Sequence, residues 1–304
     1  MSVKVGEYVP TDKIKHYYDP RNLKSNIKVT TPGSSTTTYK DMVGSNDVTV
    51  TDGSMLHTDG YVNFPVPDFQ DATLRGCEFH GEFAQQDPTN ADDGLYLDFS
   101  SADGCTFSFW IYPDSNQTFI NDYASAWKNN VIFGPTATGN WYRSQFCIEE
   151  GATTNPANRP SSNQTIRIAY AGNTVREIFP RFLPGTPTNV AANQKAERLL
   201  VPDEWHHIVI AGHQPNPTVN NDIYHDVWHN GEKIISSLVN STSGYNATTE
   251  THLILNSIGC QEDKGPSDQK PGISFQGRMG PFAHWDKKLT DDEIQNLYTI
   301  KPNV

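Results

Sequence analysis

The sequence predicts an all-β protein, a sandwich of two antiparallel sheets with long loops and one short C-terminal helix. Three observations lead there. About a dozen short apolar or alternating runs recur at regular spacing, punctuated by turn residues. The 304 residues include 22 Gly and 20 Pro, as many tight connections require, while 11% aromatic residues are too many for a disordered chain. A strong helix signal occurs once, close to the C-terminus.

Taken in order, Tyr17-Tyr18 closes a short strand broken by Asp19-Pro20, and Thr30 to Thr38 reads as a Ser/Thr/Gly loop. Two hairpin strands are expected around Gly44-Ser45-Asn46-Asp47, with further turns at Asp52-Gly53 and Asp59-Gly60. Gly60-Tyr61-Val62-Asn63-Phe64 alternates as a half-buried strand and ends at Pro65. The clearest strand is Cys105 to Tyr112, with Phe107, Phe109 and Ile111 on one face and Ser108, Trp110 and Tyr112 on the other. Both faces are largely apolar, so it belongs in the centre of a sheet.

Later strands are expected at Trp141 to Ile148, Thr165 to Tyr170, Trp205 to Ala211, Ile223 to His229, Lys233 to Leu238 and His252 to Ile258. Asn230-Gly231 between two of them is a type I′ hairpin signal, because both central residues need positive φ. The polar stretches 114–140, 150–163, 180–200 and 213–222 read as loops. A last strand from Phe275 and the turn Lys287-Lys288 lead to the helix.

The helix start is well marked. Thr290 and Glu293 form a capping box, Leu289 and Ile294 a hydrophobic staple, and Asp291 and Asp292 meet the positive end of the helix dipole. Ile294, Leu297 and Tyr298 share one face, so the helix is expected to pack by one side only, on an open end of the sandwich. No linker or repeat divides the chain. It is read as one domain, 1–304, with 1–60 as N-terminal strands and lead-in and 61–304 as the main sandwich closed by helix 290–298.

The net charge of −12 leaves no basic stripe to meet phosphates, so no nucleic-acid partner is expected. No apolar run is long enough for a membrane helix, and the N-terminus lacks a secretory h-region, so no membrane insertion and cytoplasmic synthesis are expected. Cys77, Cys105, Cys147 and Cys260 form no C-x-x-C pair and are expected to be buried free thiols. The N-x-S/T sequons at Asn116, Asn163, Asn240 and Asn246 mark polar loop tips.

Four motifs in order carry a family resemblance: Phe107-Ser-Phe-Trp-Ile-Tyr-Pro113, Glu204-Trp-His-His-Ile-Val-Ile210, Asp226-Val-Trp-His-Asn-Gly-Glu232, and Gly277-Arg-Met-Gly-Pro-Phe-Ala-His-Trp285 running into Leu289 to Tyr298. Together they resemble the laminin-G-like, concanavalin A-like jelly roll, in its pentraxin-related branch. His16-Tyr-Tyr-Asp-Pro-Arg-Asn-Leu-Lys24, Thr38-Tyr-Lys-Asp-Met42 and Gly60-Tyr-Val-Asn-Phe64 are similar to the lead-in of lectin-like virion proteins of tailed phages. That resemblance implies a virion structural protein (a fibre, tail-associated or capsid-decorating component) that stabilises the particle, binds host surface glycans, or both. The partners it implies are other virion proteins, a host surface polysaccharide and further copies of the chain.

Candidate chemistry is sparse, and the chain is expected not to be an enzyme. Glucanases of this fold place Glu, Asp and Glu on one strand at alternating spacing, so that all three reach the sugar. Here Glu149-Glu150 and Asp92-Asp93 are adjacent pairs whose members point to opposite faces. His206 and His207 are likewise opposed, and His225 and His229 stand about 13 Å apart along one strand, too far for one metal ion. A cross-strand pairing between those two segments stays open. No G-x-S-x-G elbow occurs.

No cofactor is required, but the resemblance implies calcium as the candidate, held in rim loops by Glu262, Asp263, Asp268, Asp92 and Asp93; a solvated acidic loop is the alternative reading of the same residues. For glycan binding, the aromatic platforms in or near polar loops are Trp127, Trp141 and Tyr142, whereas Trp110, Trp205, Trp228 and Trp285 are expected in packing. The alternative function is a carbohydrate-binding module of a cellular protein, and a glucanase is the third reading.

Overall fold

The computed structural model describes residues 9–22, 26–27, 37–50, 60–64, 77–79, 95–99, 101–115, 128–134, 145–150, 164–170, 174–177, 201–214, 223–240, 252–255, 257–258 and 275–302. In chain order the strands are β1 (Ile14–Tyr18), β2 (Asn26–Ile27), β3 (Thr37–Tyr39), β4 (Val48–Val50), β5 (Val62–Phe64) and β6 (Cys77–Phe79). They continue with β7 (Leu95–Asp98), β8 (Cys105–Pro113), β9 (Lys128–Gly134), β10 (Gln145–Glu150), β11 (Gln164–Tyr170) and β12 (Thr174–Glu177). The last are β13 (His206–His213), β14 (Ile223–His229), β15 (Glu232–Asn240), β16 (His252–Leu255), β17 (Ser257–Ile258) and β18 (Gly277–Trp285), followed by helix α1 (Asp291–Tyr298).

Two antiparallel sheets hold most of these strands. One runs β1-β18-β8-β13-β14-β15, with β5 pairing the first half of β18 on the edge that β1 pairs further along. The other runs β12-β11-β10-β9-β17-β6-β4-β3-β2, and β16 and β7 form a separate two-stranded ribbon. The chain is thus an antiparallel β-sandwich with one short C-terminal helix, as the strand spacing predicts. The N- and C-terminal strands lie side by side, β1 on β18.

Alternation on the central strands decides what faces what. Phe107, Phe109 and Ile111 of β8, Ile208 and Ile210 of β13, and Met279 and Phe282 of β18 join Ile132 and Phe133 of β9 in the core. Met279 and Phe282 face the same side at odd spacing because the β18–β8 register shifts between them, a bulge at Gly280-Pro281. The opposite face of this sheet carries Val209, Ala211, Trp228, Ala283 and Trp285, and α1 lies on it through Leu289, Ile294 and Leu297.

That position of α1 corrects the expectation of a helix on an open end. Its apolar side needs a matching apolar stripe, and outward Val209, Trp228 and Trp285 supply one on the sheet's flank. The local signals hold: Thr290 caps the helix in β conformation, Glu293 N–H donates to Thr290 Oγ1 at 3.3 Å, and Thr290 N–H donates to Glu293 Oε2 at 2.8 Å. Asn230 and Gly231 have φ of 52° and 78°, as the hairpin requires. A Cβ on Gly231 would also meet the Tyr298 ring at 3.0 Å.

Two further expectations are corrected. β9 lies inside 114–140, read as loop, because only Val131-Ile132-Phe133 is apolar and the flanking Lys128-Asn129-Asn130 owe their extended form to pairing with β10. The run 252–258 is two strands in different sheets, β16 on β7 and β17 between β6 and β9. Of the strand placed at Trp141 to Ile148, the residues described are Gln145 to Ile148, all of them in β10.

The lead-in motif ties the termini to this frame. Asp19 accepts from Tyr17 Oη at 2.8 Å and from Arg21 Nε and Nη2 at 2.8 and 2.7 Å, while Arg21 Nη1 donates to Ile300 O at 3.0 Å. Asp41 accepts from the amides of Tyr17 and Val43, each at 3.1 Å, and contacts His16 Nδ1 at 2.7 Å. Trp285 Nε1 donates to Pro10 O at 2.8 Å. Among the described residues, no helix is long and apolar enough to cross a membrane.

Candidate ligand-binding face

The outer face of the seven-stranded sheet has two halves. Under α1, Ser108 and His207 pair with each other, while the second ring nitrogen of His207, Nδ1, has no partner among the described residues. Ser108 Oγ lies 2.8 Å from His207 Nε2, and the His207 ring stacks on Trp110 at 4.7 Å, which in turn stacks on Tyr298 at 5.7 Å. This is the spacing of a nucleophile and its base, but not their environment. Burial, with a smaller contribution from the charge of His229, pulls the His207 pKa down to about 3, so the ring has little affinity for a proton at neutral pH. Ser108 is 5% exposed. A cavity of about 20 Å³ beside the pair, lined also by Tyr17, Trp285 and Ile300, has room for about one water.

The histidines flagged by sequence do find a partner across strands. His206 Nδ1 and His229 Nε2 are 2.8 Å apart with rings stacked at 5.0 Å, and His206 Nε2 lies 2.7 Å from Val201 O. With His206 Nε2–H donating to that carbonyl, His206 Nδ1 is left to accept from His229 Nε2–H. Burial holds the His206 pKa below its ordinary value. The pair fastens β13 to β14. Among the described residues, no three His, Cys, Asp or Glu side chains converge as a metal site.

The other half of the face, beyond Gly280, carries Tyr61, Tyr112 and Arg278, each partly exposed. A Cβ on Gly280 would meet Pro302 Cγ at 2.6 Å and Trp110 Cβ at 2.9 Å, so the C-terminal segment packs closely on the sheet at that point. Arg278 projects outward from β18, opposite inward Met279, and pairs in register with Tyr112 of β8 and Asn63 of β5. Its guanidinium carbon lies 4.6 Å from the Tyr112 ring centroid and 4.8 Å from that of Tyr61. The two rings come from the strands on either side of β18, so the cation is flanked by aromatic faces.

Trp205 backs this group, 5.5 Å from Tyr112 and 6.2 Å from Tyr61. It is 6% exposed, and its Nε1–H has no partner among the described residues. Asp114 follows β8, and partial burial raises its carboxyl pKa, with Arg278 opposing and Asp203 adding to the rise. Asp203 has a left-handed φ of 62° and clips this corner together, its amide donating to Pro113 O at 2.8 Å and its Oδ1 accepting from Ser115 N at 3.1 Å. An aromatic floor, a planar cation and a nearby carboxyl can stack on a sugar and bond its hydroxyl or carboxyl groups.

The candidates named from sequence lie outside the described residues: Trp127, Trp141 and Tyr142 for glycan, and Glu262, Asp263, Asp268, Asp92 and Asp93 for metal. Their neighbours are placed. Lys128, next to Trp127 in sequence, pairs with Glu150, whereas Gln145, beyond Tyr142, begins β10 at the other end of the β9–β10 hairpin. Leu95, soon after Asp93, pairs with Leu255, close in sequence to the 259–274 segment. Trp110, Trp205, Trp228 and Trp285 are all buried, as expected. Sequence reading missed Arg278, Tyr61 and Tyr112 as a group. Each sits in a motif quoted for fold, and only the β5-β18-β8 register joins them.

Against solved structures, the chain aligns with a Trypanosoma rangeli sialidase in complex with the inhibitor DANA at a TM-score of 0.50 and 12% identity, covering 95% of this chain and 33% of that one. The same enzyme in complex with sialic acid aligns at 0.50 and 12%, covering 98% and 35%. A heptameric SAP-like pentraxin from Limulus polyphemus aligns at 0.35 and 13%, covering 66% and 70%. The chain spans about a third of the length of those sialidases. No family model and no curated protein matches it. At these identities the likeness is one of fold, an antiparallel β-sandwich.

Proposed function

We propose that the chain is a non-enzymatic, lectin-like structural protein of a tailed-phage particle that attaches to surface glycans. The observation that carries glycan attachment is the half of the sheet beyond Gly280, where the partly exposed Tyr61 and Tyr112 flank Arg278 and buried Trp205 backs them. Its placement in a virion, as a fibre, tail-associated or capsid-decorating component among other virion proteins, is supported by the lead-in motif, whose Asp19, Arg21 and Asp41 are built into the frame. The buried, weakly basic Ser108–His207 pair supports a role other than hydrolysis.

Two measurements test this reading. Purified protein should be retained on a column of host surface polysaccharide, and a Tyr61→Ala, Tyr112→Ala double variant should pass through it with an unchanged far-ultraviolet spectrum. The wild-type chain should also be a stoichiometric component of purified particles. Retention without presence on particles would instead identify a cellular carbohydrate-binding module, and release of reducing sugar from the column would overturn the non-enzymatic assignment.

A further inference from the structure

We infer that the half of the sheet beyond Gly280 takes an acidic sugar, with Arg278 pairing to its carboxylate while the rings of Tyr61 and Tyr112 flank the contact. This rests on the glycan-binding reading and adds the ligand class. A chain with a net charge of −12 has many carboxylates with which to neutralise an arginine. Arg21 shows the usual outcome, two bonds to Asp19 and a third to Ile300 O. Arg278 differs. Among the described residues no carboxylate lies within ion-pair distance of it, and its contacts are the two tyrosine faces. Arg278 is partly exposed on the outward side of the sheet.

A guanidinium held between ring faces keeps its N–H edge free, and that edge matches the two oxygens of a carboxylate in one plane. The rings also lower the entropy lost when the side chain is fixed by a ligand. Asp114 and Asp203 stand near the same corner, at the end of β8. They oppose a second negative group and confine the carboxylate to the Arg278 edge, while accepting bonds from hydroxyls of the same sugar. A neutral glycan would use the rings and the acids but leave the guanidinium unmatched.

The test is titration of the full chain with a short oligogalacturonate, with a sialic acid-terminated oligosaccharide, and with each of these after reduction of its carboxyl groups to alcohols. Arg278→Gln and Arg278→Lys are titrated in parallel, with thermal melts of every variant. Binding of at least one acidic oligosaccharide is expected, weakened roughly tenfold or more by carboxyl reduction and by Arg278→Gln, since a bond to a charged group contributes that much. Which of the two binds distinguishes a uronate from a sialate ligand. Arg278→Lys should recover less than half of the loss in log affinity, because an ammonium cannot supply the planar fork. Equal affinity for acidic and reduced forms, insensitive to Arg278→Gln, would overturn the acidic-sugar inference and leave glycan binding standing. If neither these sugars nor host polysaccharide binds, both fall.

Discussion

The two halves of one sheet face differ in a way that separates scaffold from site. Under α1, Ser108 meets His207, Thr106 Oγ1 donates to Lys287 O at 2.7 Å and accepts from Leu289 N at 2.9 Å, and Trp285 reaches Pro10. Beyond Gly280, Arg278 has only ring faces and the Trp205 indole N–H has no partner among the described residues. Both halves are built by the same alternation on β8 and β18. What distinguishes them is cover, since α1 packs on the first while Tyr61, Tyr112 and Arg278 of the second are partly exposed.

The covered half should be the more fragile of the two. Ile294→Asp puts a charge among Val209, Trp228 and Trp285 and removes the staple to Leu289, and should cost about 2–4 kcal/mol by chemical denaturation. A loss below about half a kcal/mol would mean that α1 is not fastened to the sheet.

Acid should weaken the same sheet next. His206, His207 and His284 all have folded pKa values pushed down by burial, His207 to about 3. For a depressed histidine the unfolded chain binds the proton first, so stability is full above about 6.5 and is lost as pH falls from there toward the folded value. Each such histidine contributes a slope of up to about 1.4 kcal/mol per pH unit in that window. His207→Phe keeps a ring on Trp110 and removes one titration. Its loss of stability between pH 7 and pH 5 should be smaller than the wild type's by about 2 kcal/mol. Equal losses would show that His207 is not held neutral.

A smaller effect is expected at the helix start. Thr290→Ala removes the acceptor for the Glu293 amide and should cost about 1 kcal/mol in the same assay. Here the sequence was easy to read. The cap, the staple and the Asn230-Gly231 turn are local, decided by residues within a few positions of one another. β8 was readable for a related reason, since apolar side chains on both faces fit only a central strand. β9 was not, because its first three residues are polar and its extension depends on β10. The His206–His229 contact and the Tyr61–Arg278–Tyr112 group lie further still from local reading. They need the register between strands far apart in sequence. Fold was therefore legible where short-range chemistry decided it, and the candidate site was not.

The half beyond Gly280 should respond least in stability and most in binding. Arg278→Gln removes two cation–π contacts at a partly exposed position and should lower stability by no more than about 1 kcal/mol. Asp114 sharpens the contrast in the opposite direction. Its raised pKa means that the folded protein binds the proton more tightly than the unfolded chain, so ionisation of this group opposes folding as pH rises through and above the ordinary carboxylate range. Asp114→Asn should thus leave the melting temperature the same or slightly higher at pH 7, and lose that advantage near pH 3. It also removes a negative charge beside Arg278, so an acidic oligosaccharide should bind more tightly, by a few-fold at low salt and less at high salt. A variant that melted lower at neutral pH would show Asp114 to be a structural acceptor at the end of β8. Tighter binding with intact stability would place it at the edge of the ligand.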